Sequence, residues 1–81
     1  MFTARTSGDG TVNLTFSLKK PTVGSIRVYT PSGRLVGQIF KGRIEAGKPY
    51  QASIHGISNG FYYAVLSTEE ANKVLKISLT R

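Results

Sequence analysis

Hydrophobic and polar residues alternate along most of this chain, and helical spacing of apolar positions is nearly absent. Residues 11–18 alternate strictly, with Val12, Leu14, Phe16 and Leu18 on one face and Thr11, Asn13, Thr15 and Ser17 on the other. A period of two predicts a half-buried antiparallel strand. Lys19-Lys20-Pro21-Thr22 interrupts it, and residues 24–29 begin a second strand with Ile26 and Val28 facing one way and Arg27 and Tyr29 the other. Thr30-Pro31-Ser32-Gly33 sets proline second and glycine fourth, as a type I turn prefers. Residues 34–41 are therefore the expected return strand of a hairpin, and Gly37 inside it marks a bulge or a close backbone approach.

The second half repeats the pattern. Residues 42–47 read as a loop, residues 50–54 alternate again, and Gly56-Ile57-Ser58-Asn59-Gly60 turns the chain into a closing hairpin. Its strands are residues 60–66 and 73–79. In the closing strand Leu75, Ile77 and Leu79 are expected to face inward. Lys76, Ser78 and Thr80 are expected to face out, with Lys73 and Val74 opening the strand. An initial strand is expected over residues 2–6, and only residues 68–72 suit a turn of helix. Six or seven short strands punctuated by Gly and Pro predict an all-β sandwich or small barrel. There is no linker, low-complexity segment or internal repeat, so residues 1–81 form one expected domain.

Size sharpens this picture. An 81-residue domain buries only roughly 60–65% of the surface its unfolded chain exposes. No cysteine is present to add a disulfide or thiolate metal site, so the apolar core is the main stabiliser. Eleven Lys and Arg against four Asp and Glu give a net charge of +7, which favours acidic partners. The cations are scattered through Arg27, Arg34, Lys41, Arg43, Lys48 and Arg81 among others, in runs no longer than two, as on a solvated basic surface. No apolar stretch approaches the ~20 residues of a membrane-spanning helix, and no apolar segment of a signal peptide follows Met1.

Catalytic chemistry has little to work with. His55 is the only histidine, and a metal site built on it needs Asp9, Glu45, Glu69 or Glu70, which lie in separate turns or side by side. The expectation is a non-enzyme without cofactor or metal, with His55 as a turn residue. Asn13-Leu14-Thr15 matches a glycosylation acceptor only as a chance tripeptide. The glycines at Gly8, Gly33 and Gly60 punctuate turns and open no anion-holding helix. Phe61 and Tyr63 beside basic residues suggest a base-stacking platform. Alternation, however, returns Tyr62 to the core with Ala64 and Leu66, and nucleic acid is not the expected partner.

The order of these motifs resembles the carboxyl-terminal sorting domains of type IX secretion over about residues 11–81. Ser25 to Val36 matches the family's hairpin, with Gly33 as its glycine and Val36 as the apolar residue after it. Thr30 departs from the acidic residue usual after the tyrosine. Gly60 and Tyr62 match the glycine and tyrosine that open the penultimate strand, Ile57 replaces the common leucine before them, and Lys73, Val74, Leu75 and Lys76 match the terminal basic and apolar segment. The resemblance implies an immunoglobulin-like sandwich behind a cargo domain of certain Gram-negative bacteria. Such a domain passes by way of the periplasm through the type IX translocon, is then usually removed by a sortase-type peptidase, and leaves cargo secreted or at the cell surface, often on anionic lipopolysaccharide.

Two physical roles stand beside that resemblance. Gly60 and Tyr62 suit construction of the sandwich: an Asn-Gly turn followed by a tyrosine whose hydroxyl reaches a backbone acceptor, as in a tyrosine corner. The closing strand, with Lys73, Val74, Leu75, Lys76, Ile77 and Leu79, suits recognition by strand addition at a sheet edge. Its lysines serve equally to protect such an edge from aggregation. The alternative is an immunoglobulin-like or fibronectin-like accessory module, a spacer or a carbohydrate binder, which a planar row of Tyr29, Tyr50 and Tyr63 would favour.

Overall fold

The computed structural model describes residues 1–80, so Arg81 lies outside the described residues. Seven strands follow in order: β1 (Phe2–Thr6), β2 (Val12–Phe16), β3 (Thr22–Tyr29), β4 (Leu35–Ile44), β5 (Tyr50–Ile54), β6 (Gly60–Thr68) and β7 (Asn72–Leu79). They pair antiparallel into a three-stranded sheet ordered β1-β2-β5 and a four-stranded sheet ordered β4-β3-β6-β7. The domain is an immunoglobulin-like β-sandwich. In the constant-type arrangement the fourth strand completes the first sheet; here β4 pairs with β3 instead.

Alternation places the core where the sequence predicts. Val12, Leu14 and Phe16 project from β2, and Ile26, Val28, Ala64 and Leu66 project from β3 and β6, all fully or almost fully buried. Ile77 and Leu79 of β7 join them. One corner of the core is aromatic. Phe16 stacks on its cross-strand partner Tyr50 at 5.5 Å between ring centroids and meets Phe40 of the opposite sheet edge-on at 5.0 Å. These rings join the two layers where β4 approaches β5, and on the other side of the sandwich β1 approaches β7.

Four local expectations change. β1 forms where the sequence predicts it, but β2 ends at Phe16 rather than continuing to Leu18. β4 runs through the expected loop to Ile44, whose side chain is fully buried. Gly24, opposite Gly42 across the ladder, leaves room for that side chain: a Cβ there would lie 3.1 Å from the Ile44 side chain and 2.9 Å from the Ser67 carbonyl oxygen of β6. Two register shifts leave Ile39 and Val36 as extra residues of β4, so Gly37 sits between two bulges rather than at one, and bulges add local twist. Finally, residues 68–72 make a hairpin turn and no helix. The Thr68 amide donates to the Ala71 carbonyl at 3.0 Å, and the Thr68 hydroxyl accepts from the Glu70 and Ala71 amides.

Candidate recognition site

The closing strand is an edge. β7 pairs with β6 from Ser67↔Asn72 to Gly60↔Leu79, and its other side has no ladder partner among the described residues. Along it, burial follows the expected alternation but grades with position. Ile77 and Leu79 are buried, Leu75 is half-buried at the sheet edge, and Lys73, Val74 and Lys76 are exposed. The six candidate residues therefore divide: Ile77 and Leu79 hold the strand to the core, while Lys73, Val74 and Lys76 are presented to solvent. Lys73 lies on the inward side of the ladder at its open end. There it lines a cleft of about 390 Å³ with Lys19, Lys20, Met1 and Glu70. The Lys76 ammonium sits 4.7 Å from the centroid of the Phe61 ring, a geometry that places the cation on the ring's negative face.

The motif residues gather at the opposite end of the same sheet. Gly33 closes the β3–β4 turn by donating its amide to the Thr30 carbonyl at 2.9 Å, with φ +90, where glycine alone is unstrained. Gly60 likewise has φ +146 at the start of β6. Tyr62 buries its ring and donates its hydroxyl to the Ser58 carbonyl at 2.6 Å. Four residues back and at the entrance to the sixth strand, this is the tyrosine corner of immunoglobulin-like sandwiches. Val36, Ile57 and Tyr62 line one shallow cleft of about 330 Å³. The bulge leaves Val36 half-buried there beside Thr30. The Thr30 hydroxyl accepts from the Arg34 amide at 3.1 Å and pairs with the Ser32 hydroxyl at 2.9 Å.

Tyr62→Phe removes one oxygen and leaves the Ser58 carbonyl without its partner. The expected cost is about 1 kcal/mol, read as a melting temperature lower by about 4–8 °C in thermal unfolding.

His55 belongs to a separate cluster at the far end of the three-stranded sheet. Its Nδ1 is 3.1 Å from the Thr11 hydroxyl, and its Nε2 is 3.5 Å from the Ser53 hydroxyl. The Thr11 amide donates to Asp9 Oδ1 at 3.1 Å. Hydrogen bonds from Thr11, its side chain first and its amide second, hold the Asp9 carboxyl below the ordinary carboxylate range. Thr11 is nearly buried, so the arrangement pins the β1–β2 loop to the end of β5. The sequence places Thr11 on the polar face of the first alternating segment; it is nearly buried instead, because its hydroxyl meets His55, 44 residues away in the chain. No three His, Asp or Glu side chains come together among the described residues. No helix among them is long and apolar enough to cross a membrane.

The tyrosines do not form a row. Tyr29 and Tyr63 are cross-strand partners on the outer face of the four-stranded sheet, whereas Tyr50 is in the other sheet, stacked on Phe16 with its hydroxyl accepting from the Glu45 amide at 2.9 Å. No family model matches the chain, and no curated protein or solved structure matches it.

Proposed function

We propose that this domain is a non-catalytic carboxyl-terminal sorting module, which directs an attached cargo protein across the outer membrane through a type IX translocon. The observation that carries the reading is the placement of β7 at an unpaired sheet edge, with Lys73 and Lys76 exposed along it. An edge strand offers open backbone groups to a receptor strand, and flanking lysines add register and sign of charge. The motif residues Gly33, Val36, Gly60 and Tyr62 serve the address indirectly. Gly60 and Tyr62 build the corner that fixes β6, which in turn holds β7, while Gly33 closes the β3–β4 turn and Val36 follows it in β4. A sortase-type peptidase acts on the cargo junction in this scheme, and the domain is its substrate.

The test fuses the full domain behind an inert periplasmic reporter in a host with a type IX system. The unaltered fusion is expected at the cell surface. The Lys73→Glu/Lys76→Glu variant is expected to remain in the periplasm while its circular dichroism and melting temperature stay close to the parent's, because both side chains are exposed. Surface display of the charge-reversed fusion at the parental level would sink the idea that β7 is read.

A further inference from the structure

The two outer faces of the sandwich are unlike. On the three-stranded sheet the outward positions are Thr3, Arg5, Asn13, Thr15, Gln51 and Ser53, a polar face of the kind water covers. On the four-stranded sheet, β6 is apolar on both sides through Phe61-Tyr62-Tyr63-Ala64-Val65-Leu66. Continuous apolar runs belong to strands covered on both faces, yet here only the inner face is covered. The ladder register aligns the outward residues of neighbouring strands into rows. Leu35, Tyr29, Tyr63 and Lys76 form one, and Gln38, Arg27, Val65 and Val74 form the next. Phe61 is 53% exposed, Val74 62% and Leu35 51%, values reached by few large apolar side chains of this domain.

Charge identifies what fits the face. β3, β4, β6 and β7 contain no Asp or Glu, while Arg27, Lys41, Arg43 and Lys76 point outward among or beside the apolar rows. An apolar centre with aromatic and arginine side chains and a charged rim is the make-up of a protein–protein interface. A rim of one sign calls for the opposite sign on the partner. We propose that the outer face of the β4-β3-β6-β7 sheet is a docking surface for an acidic protein surface with exposed aliphatic or aromatic residues. A second copy of this chain is a poor occupant, since it would bring a net +7 and the same cations against themselves. A nucleic-acid strand is a poorer one: Lys76 already covers the Phe61 ring at 4.7 Å, the other outward rings, Tyr29 and Tyr63, are half-buried cross-strand neighbours, and Leu35, Val65 and Val74 offer nothing to stack a base on. The proposal does not rest on the sorting role, because its residues span β3 and β4 as well as β7.

The experiment titrates the isotope-labelled domain with synthetic 12-residue peptides and follows backbone amide shifts. The parallel probes are an acidic peptide carrying Leu and Phe, an acidic peptide without apolar residues, a basic peptide carrying Leu and Phe, a dT12 oligonucleotide and polygalacturonate. Shifts centred on Arg27, Val65 and Val74, saturating only with the acidic apolar peptide, are expected. Affinity should fall by about tenfold in Arg27→Glu/Lys41→Glu, as loss of complementary charge predicts, and comparably in Phe61→Ser/Val74→Ser. Reporter export by these same variants is scored separately, so failure here and failure of the sorting role are distinguishable. The proposal is overturned if no peptide binds, if the basic peptide binds as well, if the oligonucleotide or the uronate is the better ligand, or if the shifts map elsewhere or track protein concentration alone.

Discussion

Replacing Phe16 with alanine is expected to leave the domain largely unfolded, seen as loss of amide dispersion and of the tyrosine near-ultraviolet signal at a temperature where the parent is folded. The ring is fully buried and touches the two other aromatic rings of the core corner, one in each sheet. Truncation of a buried phenylalanine costs about 3–5 kcal/mol. A chain of 81 residues has a total stability of about 4–12 kcal/mol at the usual per-residue value. No disulfide supplements it, so one cavity at this position consumes a large share of the whole. Neither neighbour can refill the space. Tyr50 is held by the bond from the Glu45 amide to its hydroxyl, and Phe40 comes from a strand already bent by the bulge at Ile39. Phe16→Leu, which keeps apolar volume and loses the stacking, is expected to fold with a lowered melting temperature. A stable Phe16→Ala domain would show that the corner is not what joins the sheets.

What the sequence reveals and conceals divides along physical lines. β2 is legible because it is half-buried and its period of two is unbroken. β6 is legible in part: alternation places Tyr62, Ala64 and Leu66 inward and leaves Phe61 and Tyr63 outward, as the ladder shows, but six apolar residues in succession give no sign of which neighbours lie beside them or that the outer side goes uncovered. The end of β4 is misjudged because Gly42 and Gly47 read as loop residues. Gly42 lies within the ladder, opposite a glycine that has to be small for the sheets' own backbone. The tyrosine corner is readable from Gly60 and Tyr62 since both partners lie within five residues of one another. The edge position of β7 and the apolar outer face are not readable. Sheet order is decided by pairings between distant segments, and those rest on the summed burial of both partners rather than on any local signal.

The same structure changes what a truncation can reveal. A chain ending before Ala71 is expected to lack a native fold altogether, not merely an address. Ile77 and Leu79 are almost fully buried, and β6, the central strand that carries Tyr62, Ala64 and Leu66 into the core, loses its ladder on one side. Two buried aliphatic side chains of this kind are worth about 2–5 kcal/mol each. Together they approach or exceed the stability expected of so small a domain, before the lost backbone pairing is counted. The measurement is a fingerprint spectrum and a denaturant titration of residues 1–70: collapsed amide dispersion and no cooperative transition are expected. Export failure by a truncated fusion therefore reports unfolding as much as loss of recognition, whereas Lys73→Glu/Lys76→Glu alters only what β7 presents. A cooperative transition in the truncated chain would mean that β7 is an appendage on a self-sufficient six-stranded sandwich. Its lysines could then be studied by deletion after all.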